Sequence, residues 1–189
     1  MGKIRVSRLF AVGIISLLVS VLSILSGRKP PAGIPQQSWS GQNNERSASE
    51  SATLIRIVDG DTIEVSLGGA VEKVRLMGID APESVDPRRP VECYGKESSS
   101  HLSLLLAAPS IYLESESTAA NRDKYNRLLR YVFTPQGELV NKTMIEDGYA
   151  FEYTYDIPYT RRDEFIRAEH DARESARGLW SPSACAGKR

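Results

Sequence analysis

The sequence predicts an α+β domain in which a small closed β-barrel is packed against helices. In the first part of the folded region, apolar and polar residues alternate with the period of two that is typical of half-buried strands. Later segments change to helical spacing, or to charged stretches with interleaved apolar residues. About five short strands and about three helices together favour a closed barrel covered by helices.

The first three strands are predicted at 53–58, 62–67 and 71–77, where the alternation is clearest. Gly68 and Gly69 lie between the second and third of these segments. A glycine pair at this position is a strong signal for a tight hairpin turn, because both residues accept positive φ. We therefore expect three successive antiparallel strands.

Residues 80–93 are predicted to form a long loop, because Pro82, Pro87 and Pro90 prevent regular structure there. The remaining elements are expected as a helix after Gly95, strands at 110–114 and 128–133, and helices at 141–147 and 160–177. Gly148 and Gly178 follow the last two helices as candidate C-caps.

The N-terminal region is predicted to lie outside this domain. Residues 9–25 form an apolar run of 17 residues with basic residues on both sides, so 1–26 is either a cleaved signal peptide or an uncleaved membrane anchor. Residues 27–51 are rich in Pro, Gly, Ser, Gln and Asn and predict a flexible linker. Both alternatives place the folded domain, 52–189, outside the cytoplasm, either membrane-anchored or secreted.

Charge and cysteine content narrow the class of function. Residues 1–51 hold six of the 24 basic and two of the 24 acidic residues, so the folded domain carries a net charge of −4. This charge counts against nonspecific binding of nucleic acid, which more often uses a basic surface. Cys93 and Cys185 in an exported chain predict a disulfide rather than a metal site, and two buried free thiols are the alternative.

Four acidic residues lie at predicted strand ends or in loops: Asp59, Asp61, Asp80 and Glu83. Their carboxylates are hard oxygen ligands that suit calcium or magnesium. An EF-hand is excluded, because a loop starting at Asp59 has Glu64 where the required glycine would lie. Asp59-Gly60 has a second interpretation, as the type I′ turn of a hairpin.

Two arginines, Arg75 and Arg127, border the predicted strands. Guanidinium groups bind phosphate through paired hydrogen bonds and stabilise the charge that develops during phosphoryl transfer. A single arginine taken alone is more often an ordinary solvated surface group, because charged side chains are mostly exposed.

Five motifs occur together in the order DGDT, VRLMGIDAPE, ECYGKE, DKYNR and GYAFEYTY. Over about residues 53–180 this set resembles the staphylococcal nuclease (thermonuclease) family. The resemblance implies a five-stranded OB-fold barrel with about three helices. It also implies calcium-dependent hydrolysis of DNA and RNA that leaves 3′-phosphate ends. A noncatalytic module of the same fold that binds nucleic acid or protein is the alternative.

The resemblance also implies roles for individual residues. Asp61, Asp80 and the Ala81 backbone carbonyl match the calcium ligands, with Asp59 acting through water. Glu83 matches the acid that orients or deprotonates the attacking water, and Arg75 and Arg127 match the pair that holds the scissile phosphate. Substrate contacts are expected from Lys124, Tyr125, Tyr153 and Tyr155, although packing is an alternative role for the last two. Asn126 replaces a glycine of the family, and asparagine tolerates the positive φ required there.

We expect a monomer that prefers single-stranded DNA or RNA. A basic rim of Arg88, Arg89, Lys124, Arg161 and Arg162 would offset the acidic net charge near the substrate.

Overall fold

The structure, a computed structural model, describes residues 49–88, 90–155 and 158–188, which belong to one compact unit. The predicted segment 1–26 and nearly all of the predicted linker 27–51 lie outside the described residues. Within the described ranges, no helix has the length and apolar character needed to cross a membrane.

Five strands form a closed barrel, as the sequence predicts: β1 Glu50–Ile57, β2 Thr62–Leu67, β3 Ala70–Leu76, β5 Ser110–Ser115 and β6 Leu128–Phe133. Their order around the barrel is β1-β2-β3-β6-β5, and β1 closes onto β5. The pairs are antiparallel except for β3 and β6, which run parallel. Gly68 and Gly69 both have positive φ in the β2–β3 turn, as predicted.

Three helices cover the barrel: α1 Gly95–Leu105, α2 Val140–Glu146 and α3 Arg162–Glu174. A two-stranded antiparallel sheet, β4 Ile79–Asp80 with β7 Phe151–Glu152, was not predicted. Each of its strands has only two residues, which is too short for a period-two pattern. The sheet pairs Asp80 with Phe151 and so fixes the backbone of one predicted site residue.

The core follows the predicted alternation. In β2, Ile63 and Val65 are fully buried, and in β3 Val74 and Leu76 are fully buried. The helices add further fully buried side chains to the same cluster: Leu102, Met144, Ile145 and Phe165. Burial of each such side chain contributes about 1.5–3 kcal/mol before chain entropy is counted, so this cluster holds the helices on the barrel.

The C-terminal region differs in detail from the prediction. Helix α3 ends at Glu174, and Gly178 begins a short 3₁₀ turn, Gly178–Trp180, instead of capping the helix. A Cβ atom at Gly178 would collide with the Gly148 carbonyl, so close backbone approach explains this glycine. Leu179 of the turn is fully buried in a small cluster with Phe151 and Cys185.

Cys93 and Cys185 form a disulfide, with Cα atoms 5.9 Å apart. It joins the loop that precedes α1 to the segment that follows the 3₁₀ turn. A loop of this length contributes about 4 kcal/mol in the chain-entropy description of disulfides.

Glu116, directly after β5, joins two distant segments of the fold. Its carboxylate accepts hydrogen bonds from the Tyr131 hydroxyl at 2.7 Å and from the Thr160 backbone N–H at 2.8 Å. The Thr160 hydroxyl and the Thr118 backbone N–H also donate to it. Burial alone would raise the pKa of Glu116, but these hydrogen bonds hold it at about 2.

Glu116→Gln is expected to destabilise the protein by about 2–3 kcal/mol at neutral pH, because charged hydrogen bonds are lost in a buried site. The folded-state pKa is depressed, so this contribution is complete above the unfolded pKa of 4.5 and disappears as pH falls towards 2. Thermal unfolding of the two proteins between pH 7 and pH 2.5 tests this prediction. The exposed Glu97→Gln is the control, and a stability difference that does not shrink in acid would contradict the assignment.

Candidate active site

A cleft of about 700 Å³ opens between the β3–β4 connection, the loop after β4, the loop before β6 and the segment after β7. Its lining contains all the residues predicted for metal, catalysis or substrate: Asp59, Asp61, Arg75, Asp80, Ala81, Glu83, Lys124, Tyr125, Arg127, Tyr153 and Tyr155. Residues more than 90 positions apart in the sequence thus meet in one concave surface.

The segment Asp59-Gly60-Asp61 connects β1 to β2. The N–H groups of Val58 and Asp59 donate to the Thr62 carbonyl, and Asp59 Oδ1 accepts the Asp61 N–H at 3.0 Å. Gly60 is not among the described residues with positive φ, so the type I′ interpretation is wrong. A Cβ at Gly60 would lie 2.6 Å from Ala81 Cβ and 2.8 Å from Ser98 Cβ. The glycine therefore lets this turn pack against the start of the next loop.

Asp61 is 6% exposed, and its carboxylate contacts both the start of β2 and the loop after β4. Its Oδ1 accepts the Thr62 hydroxyl at 2.9 Å, and its Oδ2 accepts the Ala81 N–H at 2.9 Å. The same Oδ2 lies 3.0 Å from Arg75 Nη2. These contacts place the Asp61 carboxylate beside Ala81 and its neighbour Asp80.

Arg75 lies between the two predicted metal-ligating acids. Its Nη1 donates to the carbonyls of Leu76 and Ile79, and its Nη2 lies 3.0 Å from both Asp61 Oδ2 and Asp80 Oδ1. The side chain is only 12% exposed. Arg75 therefore compensates and orients the two carboxylates, a role that the sequence did not indicate.

The negative charge at this end of the barrel is dense. Burial and, next in size, the adjacent Asp61 carboxylate together raise the pKa of Asp59 to about 7. Close, partly desolvated carboxylates repel each other unless a cation compensates them, so this donor set fits a hard divalent ion. Among the described residues, only one group of three His, Cys, Asp or Glu side chains has its ligand atoms within 4.8 Å of one another. This group is exposed and consists of His170, Asp171 and Glu174. An ion at Asp61 and Asp80 would consequently need carbonyl and water ligands as well.

Arg127 is held at the cleft wall by Asp123. Asp123 Oδ2 accepts from Arg127 Nε at 2.7 Å, and Oδ1 accepts the Arg127 backbone N–H at 2.9 Å. Arg127 Nη1 donates to the Thr62 hydroxyl at 3.3 Å, whereas Nη2 has no hydrogen bond to any described residue. Asn126 has φ 66°, so it accepts the conformation expected of the family glycine. Asp123, four residues before Arg127 in DKYNR, was not singled out from the sequence.

The Glu83 carboxylate is turned towards its own loop. Its Oε1 accepts the backbone N–H groups of Ser84, Val85 and Asp86 at 2.8, 2.8 and 3.0 Å. No described residue donates a hydrogen bond to its Oε2. The backbone of Glu83 is bonded to Glu92, which also lines the cleft and which the sequence did not single out.

Aromatic rings surround the opening of the cleft. Tyr125, Tyr153 and Tyr155 are 68%, 42% and 75% exposed, respectively. The rings of Tyr153 and Tyr155 contact each other with centroids 6.3 Å apart. Lys124 Nζ and Arg127 Cζ lie 5.1 and 5.4 Å from the centroid of the Tyr125 ring. The opening therefore presents flat apolar faces beside positive charge.

The predicted basic rim is only partly present. Arg161 packs over the rings of Tyr131 and Phe133, Arg162 donates to the Thr154 hydroxyl, and neither lines the cleft. Arg88 is paired with Asp86, and Arg89 lies outside the described residues. Lys124 lines the cleft, as does Arg122, which makes a bidentate pair with Glu72. Arg161 is thus held by ring contacts and Arg162 by Thr154, and neither belongs to the cleft lining.

A closed five-stranded barrel with covering helices and an acid- and arginine-lined cleft defines an OB-fold protein with a site of the nuclease type. The family model described as Staphylococcal nuclease homologue matches residues 73–182. The chain belongs to this family.

Curated relatives agree with this family assignment. The SPbeta prophage-derived endonuclease YokF of Bacillus subtilis (strain 168) is 37% identical over 130 residues, 68% of this chain and 43% of that protein. The thermonuclease of Staphylococcus hyicus is 33% identical over 128 residues, 68% of this chain and 74% of that protein. Endonuclease YncB of B. subtilis (strain 168) is 35% identical over 132 residues, 69% of this chain and 62% of that protein. The match spans less than half of YokF.

Proposed function

We propose that this protein is a calcium-dependent phosphodiesterase that hydrolyses DNA and RNA with little sequence or sugar specificity and leaves 3′-phosphate ends. The observation that carries the proposal is the convergence of Asp61, Asp80, Glu83, Arg75 and Arg127 in one cleft. Relatives named thermonuclease and endonuclease support the nuclease class.

Calcium is the proposed cofactor because the donors are hard oxygens. Asp61 and Asp80 would hold the ion together with the Ala81 carbonyl, and Asp59 would support it through water. When bound, calcium supplies positive charge next to the phosphate that is being hydrolysed. Two carboxylates make a weak site, which suits the millimolar calcium outside cells. This agrees with the proposed location outside the cytoplasm, by secretion or by a membrane anchor at residues 1–26.

Arg75 and Arg127 are both proposed to stabilise the negative charge that develops on the phosphate. Asp123 and Thr62 hold Arg127 in the cleft lining, and its Nη2, which has no hydrogen bond to a described residue, would donate to a non-bridging phosphate oxygen. Arg75 would keep Asp61 and Asp80 in place and add positive charge beneath the phosphate. Because both groups are oriented in advance, they stabilise the developing negative charge with little reorganisation.

Glu83 is the proposed proton acceptor for the attacking water. Three backbone N–H groups hold its Oε1, which leaves Oε2 to take the proton. Its side chain must turn from the loop towards the phosphate to do so. Small rearrangements of this kind are usual when a catalytic hydrogen bond forms only with substrate bound.

The reaction products test the proposal. The full-length chain would be incubated in millimolar calcium with single-stranded DNA or RNA that carries a fluorophore at its 5′ end, and the fragments would be treated with alkaline phosphatase. We expect cleavage of both substrates and a mobility shift that reveals 3′-phosphate ends. Binding of the oligonucleotide without cleavage would contradict the proposal and support a noncatalytic module.

The exposed tyrosines are proposed to stack on unpaired bases, which favours single-stranded substrates. Tyr155→Ala is expected to raise KM for single-stranded DNA by about 5- to 150-fold, equivalent to about 1–3 kcal/mol, with little change in kcat. Tyr112→Ala serves as the control, because Tyr112 is an exposed tyrosine outside the cleft lining. An unchanged KM in Tyr155→Ala would remove this residue from the substrate surface.

A further inference from the structure

Two hydrogen bonds between Glu83 and Glu92 close the loop that carries Glu83. The Glu92 N–H donates to the Glu83 carbonyl at 2.8 Å, and the Glu83 N–H donates to Glu92 Oε2 at 3.1 Å. The start of α1 also packs here, since a Cβ at Gly95 would lie 2.5 Å from the Glu83 carbonyl oxygen. Glu92 therefore holds both the backbone N–H and the backbone carbonyl of Glu83, the proposed proton acceptor.

Within this loop, Ser84 Oγ lies 3.0 Å from Ser99 Oγ of α1, and most of the other described side chains are exposed. Val85 and Val91 are 53% and 52% exposed, and Pro87, Arg88 and Pro90 are also exposed. A segment with few buried apolar contacts has low local stability and opens readily unless it is restrained at its ends. The position of Glu83 is therefore held by Glu92 together with the Ser84–Ser99 contact, and whatever restrains Glu92 contributes to it.

The restraint next to Glu92 is the disulfide. Cys93 follows Glu92 directly, and its partner Cys185 is buried with Leu179 and Phe151. Phe151 of β7 is the residue paired with Asp80 of β4. The disulfide thus ties the Glu83 loop to the packing that supports Asp80, one of the proposed metal ligands.

We propose that the Cys93–Cys185 disulfide, acting through Glu92 as a positioning residue, keeps Glu83 in place and makes nuclease activity depend on oxidation of this pair. The inference rests on the proposed function of the cleft. Forming the S–S bond takes two electrons and two protons from the thiols, which a disulfide oxidant accepts as it becomes two thiols. A chain that has not yet reached an oxidising compartment would keep both thiols and have low activity.

Reduction of the full-length protein tests the redox dependence. Dithiothreitol would be added until titration detects two thiols, and single-stranded DNA cleavage would be measured in calcium. We expect kcat to fall about tenfold to a hundredfold with KM nearly unchanged, because a proton acceptor and not a phosphate ligand is displaced. Glutathione disulfide should restore the rate, and Cys93→Ser/Cys185→Ser should match the reduced protein. Full activity of the reduced protein would overturn the proposal.

Glu92 can be tested with the disulfide intact. Glu92→Ala is expected to lower kcat about tenfold without raising KM, whereas Glu92→Gln keeps an acceptor oxygen and should retain most of the rate. Glu97→Ala changes an exposed glutamate five residues further on, in the first turn of α1, and is the matched control. Wild-type kcat in Glu92→Ala, or equal losses in the Ala and Gln variants, would exclude the positioning role.

Hydrogen exchange separates this inference from the proposed function. On reduction, the amide protons of Glu83 and Glu92 should exchange faster, while those of Val65 and Leu76 in the barrel keep their protection. Unchanged exchange at Glu83 would overturn the inference even if the enzyme is active. Loss of protection in the barrel would also overturn it, because the disulfide would then be a general stabiliser. An oxidised chain that cleaves nothing would refute the proposed function, and the exchange data would still decide whether the disulfide holds Glu83.

Discussion

Arg127→Ala is expected to lower kcat for single-stranded DNA about a thousandfold. The reason is geometric, because Asp123 and Thr62 hold the guanidinium in the cleft lining while Nη2 has no hydrogen bond to a described residue. A donor fixed in advance stabilises the transition state strongly, and water that replaces it must reorganise. Single-turnover cleavage, with the enzyme in saturating excess over the substrate, measures this loss directly.

Two further variants separate the effect of charge from that of guanidinium geometry and provide a control outside the cleft. Arg127→Lys keeps the charge but loses the planar pair of donors, so it should recover only part of the rate. Arg56→Ala removes an arginine that pairs with Glu64 and does not line the cleft, and it should leave the rate unchanged. Near-normal cleavage by Arg127→Ala would mean that this residue does not contact the scissile phosphate.

Asp61→Asn is expected to reduce calcium-dependent cleavage at least about a hundredfold while the fold is retained. Asparagine has nearly the same shape, but it removes the negative charge that would attract the ion and that now faces Arg75 at 3.0 Å. The variant should also need much more calcium for half-maximal activity, because one of only two proposed carboxylate ligands is lost.

The control for Asp61 is an aspartate without a place in the cleft. Asp163→Asn changes a side chain that is 84% exposed on α3, and it should leave both the rate and the calcium requirement unchanged. Circular dichroism and thermal unfolding verify that Asp61→Asn remains folded. A variant with the wild-type calcium requirement would show that Asp61 is not a ligand.

Local patterns carried most of the fold prediction. The strands β2 and β6 have the predicted bounds, because β2 is an alternating segment and β6 an apolar one, and a turn follows each. The β4–β7 pair was missed, since its two-residue strands leave no periodic signal. The requirement for glycine at position 60 could not be predicted from neighbouring residues. It arises from the close approach of Ala81 and Ser98, which lie 21 and 38 positions away in the sequence.

The sequence predicted which residues line the candidate site, but it did not predict the hydrogen bonds and ion pairs that connect them. The ordered motifs bring the acids, arginines and tyrosines to one cleft, and all of them line it. The partners that orient them could not be predicted, because they depend on side-chain direction in three dimensions. Arg75 bridges Asp61 and Asp80, Asp123 holds Arg127, and Glu92 holds Glu83.

The most direct measurement is the initial rate of single-stranded DNA cleavage by the full-length chain as free calcium is raised from excess chelator to millimolar. We predict no cleavage in chelator and saturable activation with a midpoint of about 10⁻⁴–10⁻³ M, as expected for a site with few carboxylate ligands. An undiminished rate in excess chelator would contradict calcium-dependent hydrolysis at Asp61 and Asp80.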